Sequence, residues 1–101
     1  MSEIQTISTD ELKKKLDAGE ELHLVDVRED EEIEMGKIKQ AEHIRMGDVP
    51  ENLNKLDKDK EYIIICRSGR RSENVCHYLQ DQGYKVRNMV GGMLEWEGET
   101  E

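Results

Sequence analysis

The sequence predicts an α/β domain, a parallel sheet with helices on both faces, on three observations. Strand-like and helix-like segments alternate along the chain, the order that builds a parallel sheet through crossover helices. Tyr62-Ile63-Ile64-Ile65 is short, β-branched and apolar on both faces, as a central strand of such a sheet must be. The 101 residues suffice for one modest core and not for two.

Each element follows in order. Ile4-Gln5-Thr6-Ile7 alternates as a short strand. Ser8-Thr9-Asp10-Glu11 has the S-x-x-E spacing of a capping box, in which the Ser8 hydroxyl and Glu11 carboxylate satisfy amides at a helix start. That helix carries the i, i+4 pair Leu12 and Leu16 and stops near Gly19. Leu22 to Val27 is a nearly continuous apolar strand with Asp26 near its end. The charged stretch Glu29 to Met35 predicts a short, solvated helix ending at Gly36. His43 to Met46 predicts a short strand, and Asp48 is expected to cap a helix around Pro50 that carries Leu53 and Leu56. After the central strand, Ser72 to Gln82 is helical by pattern, with Val75, Cys76 and Leu79 on one face and Gly83 as the stop. Val86 to Val90 reads as the last strand, and Gly91-Gly92 leads into a short helix holding Leu94 and Trp96. No repeat, low-complexity tract or linker divides the chain. Residues 1–97 are therefore expected to form one domain, and residues 98–101 a short, frayed acidic tail.

Composition narrows the function classes. The chain is 39% charged and 35% hydrophobic, with both signs of charge interspersed among regular apolar runs, as in a folded domain with a heavily solvated surface. Lys+Arg 15 against Asp+Glu 24 leaves a formal net charge of −9. Such a surface repels phosphate backbones and anionic lipid, so neither nucleic acid nor a membrane is an expected partner. No apolar run approaches the length of a bilayer span, and Met1-Ser2-Glu3-Ile4 lacks the character of a signal peptide. Two cysteines without an export signal predict reduced thiols in a cytoplasmic protein. His23, His43 and His77 lack ligand spacing, so no metal site is expected.

The chemistry is expected where the central strand ends, since open parallel sheets place their sites at the carboxyl ends of strands. There the chain reads Cys66-Arg67-Ser68-Gly69-Arg70-Arg71-Ser72, directly before a helix. Loop amides and the helix N-terminus supply partial positive charge to an anion at the cysteine sulfur. Three arginines add full charge within an otherwise acidic chain, and Gly69 permits a tight turn with positive φ. A thiol in these surroundings is expected to have a lowered pKa and to serve as a nucleophile. A cysteine ending a buried strand is often just a small apolar residue, but strand, cysteine, glycine, arginines and helix in this order outweigh that reading.

The loop resembles the active-site loop of rhodanese domains, C-x-x-G-x-R-S. The likeness extends along nearly the whole chain: Ile7-Ser8-Thr9-Asp10-Glu11-Leu12, Asp26-Val27-Arg28-Glu29, Gly83-Tyr84 with Val86, and Gly91-Gly92 followed by Trp96 all match that family's motifs in order. The resemblance implies a five-stranded parallel sheet flanked by helices. It also implies transfer of a sulfane sulfur from a small anionic donor, thiosulfate or a persulfide, to a thiol or protein acceptor, with no metal or organic cofactor. Carried over residue by residue, Cys66 is the sulfur-accepting nucleophile. Arg67, Ser68, Gly69, Arg70 and Arg71 are the anion-binding loop, and Ser72 begins the helix. A monomer is expected. One departure stands out: the family's usual G-H-I-x-G-A reads Gly36-Lys37-Ile38-Lys39-Gln40-Ala41 here, which bears on the conformation beside the site and not on the nucleophile.

Rival readings remain. Cysteine phosphatases and arsenate reductases on a related fold use C-x-x-x-x-x-R, but the sixth position after Cys66 is Ser72 and the arginine falls one place earlier, at Arg71. The shorter loop suits a sulfur atom better than a tetrahedral phosphate. A docking module with little turnover, or a relay that hands sulfur to a partner protein, would keep the same fold. Cys76 is either a resolving thiol or a packed residue, with packing favoured by its place beside Val75 and Leu79. Asp26 and Arg28 are expected either to form a structural ion pair near the strand end or to help order the active loop, with the structural role favoured.

Overall fold

Five parallel strands form the middle of the fold in the computed structural model, which describes residues 3–101. The first two residues, part of the stretch tested above for a signal peptide, lie outside the described residues. The elements are β1 (Gln5–Ser8), α1 (Thr9–Asp17), β2 (His23–Asp26), α2 (Asp30–Glu34), β3 (Ala41–His43), a 3-10 segment (Met46–Lys55), β4 (Glu61–Ile65), α3 (Arg70–Asp81), β5 (Lys85–Val90) and a second 3-10 turn (Gly92–Glu95). The strand order is β1-β5-β4-β2-β3, so β4 lies at the centre with β2 and β5 as neighbours. The fold class read from the sequence is the one found, with helices on both faces.

The alternation of β4 explains the two layers. Tyr62, Ile64 and Cys66 point to one face, where they pack with Val75, Cys76 and Leu79 of α3 and with Val49. Ile63 and Ile65 point to the other, where Leu12 of α1, Ile38 and Met89 close a second cluster that Trp96 covers from outside. Burying both faces of one strand is what demanded its unbroken apolar run.

Several boundaries differ from the sequence expectation, each for a physical reason. Ser8 caps α1 as expected, accepting from the Glu11 amide at 3.0 Å, but the Glu11 carboxylate returns no hydrogen bond to Ser8 among the described residues, so only half of the capping box forms. The strand expected at His43–Met46 lies earlier, at Ala41–His43, because pairing starts where Leu24 of β2 meets Ala41. Ile44 and Met46 still donate to the carbonyls of Asp26 and Val27, so the ladder outlasts the strand. Asp48 caps nothing: it sits inside the 3-10 segment, and its carboxylate is taken by Arg45 at 2.8 Å. Pro50 in that segment lacks the N–H an α-helix would need. At the end of the chain the Glu101 amide donates to Lys37 O at 2.9 Å, and its carboxylate lies 3.0 Å from Lys37 Nζ. Among the described residues, no helix is long and apolar enough to cross a membrane.

At the carboxyl end of β2, Asp26 and Arg28 are both buried. The Arg28 guanidinium donates to both Asp26 carboxylate oxygens at 2.9–3.1 Å, and its remaining N–H groups reach the carbonyls of Glu32 and Gly36. His43 Nε2 donates to Arg28 O at 2.7 Å. One side chain thus fixes the end of β2, helix α2 and the turn beyond it. Asp26→Ala leaves that guanidinium buried without its counter-charge, and urea unfolding should show a loss of about 3–5 kcal/mol.

Candidate active site

The peptide after β4 turns sharply, and the turn depends on glycine. Gly69 adopts φ +96°, and a Cβ there would press within 3.3 Å of the Gly91 nitrogen. Gly69 also occupies the cap position of α3, which begins at Arg70 rather than at Ser72 as the sequence suggested. The earlier start puts Ser72 in the first helical turn, where amides have no partner within the helix. Gly92 completes the enclosure from the opposite side: at φ +59° it packs so closely that a Cβ would collide with the carbonyls of Arg67 and Cys66. Met93 and Leu94 then donate their amides to those two carbonyls at 2.9 Å each.

The inward groups of this turn converge on Cys66 Sγ, which is fully buried. The Gly69 amide donates to it at 3.1 Å and the Ser72 amide at 3.3 Å, while Ser72 Oγ lies 3.3 Å away. Burial alone would push the thiol up. The Ser72 hydroxyl, followed by the amides of Ser72, Gly69 and Ser68, outweighs it and leaves Cys66 below the ordinary thiol value.

The sequence-expected site residues do not all face the sulfur. Cys66, Gly69 and Ser72 are brought together and buried, whereas Arg67, Ser68 and Arg70 are exposed. Arg71 turns aside, and its guanidinium makes a bidentate pair with Glu32 at 2.7 and 2.8 Å. Arg71 holds the Glu32 carboxyl down at about 2 against the opposing effect of its partial burial. None of the three arginines donates to Sγ among the described residues; the donors are backbone and serine. Cys76 packs in the α3 face of the core, where burial first, and then Glu73 and Cys66, push it up to about 12.

Two contributors escaped the sequence reading. Glu32 lies in a charge run that the sequence reads as a solvated helix face, yet its position three residues after Glu29 completes a reciprocal cap of α2 and aims it at the loop. Asn88, on β5, donates Nδ2–H to Gly69 O at 2.9 Å and its Oδ1 accepts a hydrogen bond from Ser72 Oγ. Its signal was available: a polar residue at an inward position, in register with Ile64 on a buried strand. Beside the loop, Arg28, Glu32, Met35, Arg67, Met93 and Leu94 line a cleft of about 360 Å³. Met35 and Leu94 are strongly exposed there, at 88% and 64%.

With this geometry in hand, comparison with known proteins is specific. The model of the rhodanese-like domain family matches residues 8–99. A protein of Bacillus subtilis (strain 168) named "Putative sulfurtransferase YtwF" is 64% identical over 98 residues, covering 97% of this chain and 95% of the relative. A second protein of the same organism, "Putative sulfur carrier protein YrkF", is 45% identical over 101 residues; the match takes in 99% of this chain and 55% of that longer relative. The crystal structure of a rhodanese-like domain protein from Staphylococcus aureus superposes with a TM-score of 0.92 at 43% identity, covering 97% of each chain.

Two measurements check the electrostatics. The rate of Cys66 alkylation by iodoacetamide against pH should show a midpoint below that of a free cysteine, and Ser72→Ala should move it up by about one pH unit. Glu32, depressed from its ordinary 4.5 to about 2, stabilises the fold fully above pH 4.5, and that contribution is lost as pH falls towards 2. The stability difference between wild type and Glu32→Gln, at most about 1 kcal/mol for this half-exposed pair, should shrink across that window in urea titrations.

Proposed function

The chain belongs to the rhodanese-like domain family, and on that premise we propose that it is a sulfurtransferase in which Cys66 takes up a sulfane sulfur and carries it as a persulfide. One observation carries this reading: peptide amides and a serine hydroxyl converge on the buried sulfur. Donors placed this way stabilise the thiolate over the thiol, so the nucleophile is formed without a separate catalytic base.

The reaction is a double displacement. The Cys66 thiolate attacks the outer sulfur of thiosulfate; a bond forms between Sγ and that sulfur as the donor's S–S bond breaks, and sulfite leaves with the bonding pair. An acceptor thiolate then attacks the outer sulfur of the persulfide. Its new S–S bond forms as the Cys66 bond breaks, and Cys66 departs again as a thiolate. A reducing cytoplasm, in keeping with the free cysteines, would supply such acceptors.

Charge and shape at the mouth support an anionic donor and a thiol-bearing acceptor. Arg67 and Arg70 are exposed and take part in none of the ion pairs found among the described residues. They stand as free cations on a chain of net charge −9 and attract a small anion towards the loop. The exposed Met35 and Leu94 on the same cleft offer apolar contact to an acceptor. A second reading, in which the acceptor is a protein and the domain acts as a relay, is favoured by the likeness to a longer chain named as a sulfur carrier. Phosphate chemistry is disfavoured, because Arg71 is already engaged by Glu32 and is not free to grip a phosphoryl group.

Incubation with thiosulfate should add one sulfur atom to the protein by intact mass, and cyanide should discharge it as thiocyanate. Cys66→Ala should abolish both signals while Cys76→Ala leaves the loading intact. Full transfer by Cys66→Ala, or hydrolysis of an aryl phosphate with no sulfur loading, would overturn the assignment.

A further inference from the structure

The hydroxyl of Ser72 has one proton and two acceptors within reach. One is Cys66 Sγ at 3.3 Å; the other is Asn88 Oδ1, to which the hydroxyl donates. The orientation of the Asn88 amide is not a free choice. Gly69 O is only an acceptor, so the group facing it at 2.9 Å must be Nδ2, and Oδ1 must face Ser72. While Cys66 is a thiol, every group is satisfied: S–H donates to Ser72 Oγ, and Ser72 O–H donates to Asn88 Oδ1. When Cys66 ionises, its proton leaves and the sulfur gains by accepting the Ser72 proton. The hydroxyl must then turn away from Asn88, leaving a buried amide oxygen with no other donor among the described residues.

We propose that Asn88 is a positioning residue for Cys66: it holds the Ser72 hydroxyl proton while Cys66 is a thiol and yields it to the sulfur when Cys66 ionises. Asn88 makes no hydrogen bond to the sulfur among the described residues, and it reaches the proton balance of Cys66 through Ser72. It therefore opposes ionisation, partly offsetting what Ser72 contributes, while its Nδ2 bond keeps Gly69 in the turn that delivers the amides. The charged neighbours do not supply this coupling. Arg67 belongs to the loop, and Arg70, Arg71 and Cys76 belong to α3. The β2 side presents Asp26 paired with Arg28, and Glu32 closes Arg71 from α2. Glu73 follows Ser72 in the first turn of α3, and on β5 Lys85 and Arg87 occupy the register positions that alternate with the uncharged Asn88. None of these charged groups contacts the Ser72 hydroxyl or the Asn88 amide among the described residues.

The inference rests on Cys66 being the sulfur-accepting nucleophile. Its test uses no sulfur donor, so failure here and failure of the sulfurtransferase reading are separate results. The Cys66 titration is followed by thiolate absorbance in four proteins: wild type, Asn88→Leu, Ser72→Ala and the double variant. Loosening of the loop by loss of the Gly69 bond is common to both backgrounds and cancels in the cycle. Asn88→Leu should therefore shift the midpoint downward relative to its effect in the Ser72→Ala background, by about half a pH unit or a threefold change in acidity. Equal shifts in the two backgrounds, or a difference of opposite sign, overturn the proposal. Should Asn88→Leu fail to fold, the wild-type protein decides. The Asn88 side-chain carbonyl resonance should titrate with the midpoint of the Cys66 β-carbon, and this coupling should vanish in Ser72→Ala. An Asn88 resonance that is flat across the Cys66 titration, or that still follows it in Ser72→Ala, overturns it equally.

Discussion

A negative charge on a fully buried sulfur needs compensation, and in this fold the compensation comes from peptide dipoles held in place by backbone geometry. The turn after β4 aims the Gly69 and Ser72 amides at one point. The positive φ of Gly69 makes that turn possible, and the close approach of Gly92 to the carbonyls of Arg67 and Cys66 holds it from the other side. Fixed dipoles need no reorganisation when charge appears, which is why a rigid loop serves here better than flexible cationic side chains would. The rest of the architecture reads as support for this arrangement: a central strand to deliver the cysteine, a helix whose first turn supplies unpaired amides, and a neighbouring strand that braces both.

The arginines then have a different task from the one their sequence position suggests. Arg71 is tied to Glu32, which links the start of α3 to α2 and leaves the pair locally neutral. Arg67 and Arg70 remain exposed on the surface, and neither donates to the sulfur among the described residues. The Asp26–Arg28 pair works in the same spirit one layer deeper. Its charge is spent on carbonyls of Glu32 and Gly36, and so it fixes the wall of the cleft rather than its chemistry.

Local signals in the sequence located the elements, and long-range contacts decided their details. The unbroken apolar run of Tyr62 to Ile65 marked the central strand because both of its faces are buried, a demand visible residue by residue. The place of Cys66, between that strand and a glycine at the start of a helix, was equally legible. The strand near His43 was misplaced because its limits depend on where β2 begins to pair, and nothing local encodes that. The destination of Arg71 was hidden for a similar reason: its partner Glu32 lies far away in sequence, on a helix whose charge pattern looks like an ordinary solvated face. Asn88 is intermediate, since a polar residue at a buried register position announces that something needs it without saying what.

The two cysteines provide an internal comparison of what moves the acidity of a buried thiol in this protein. Both are fully buried, and they share one face of the core. Burial pushes each of them towards the neutral form. Cys76 lies within α3, where neighbouring amides are consumed by the helix itself, so nothing offsets burial and the thiol stays inert at about 12. Cys66 lies just before the same helix, where the first-turn amides are still unpaired, and there the balance reverses. A shift in position from inside a helix to its open end is therefore enough to reverse the direction in which a buried thiol is moved. Burial alone does not set that direction here; access to unpaired backbone donors does.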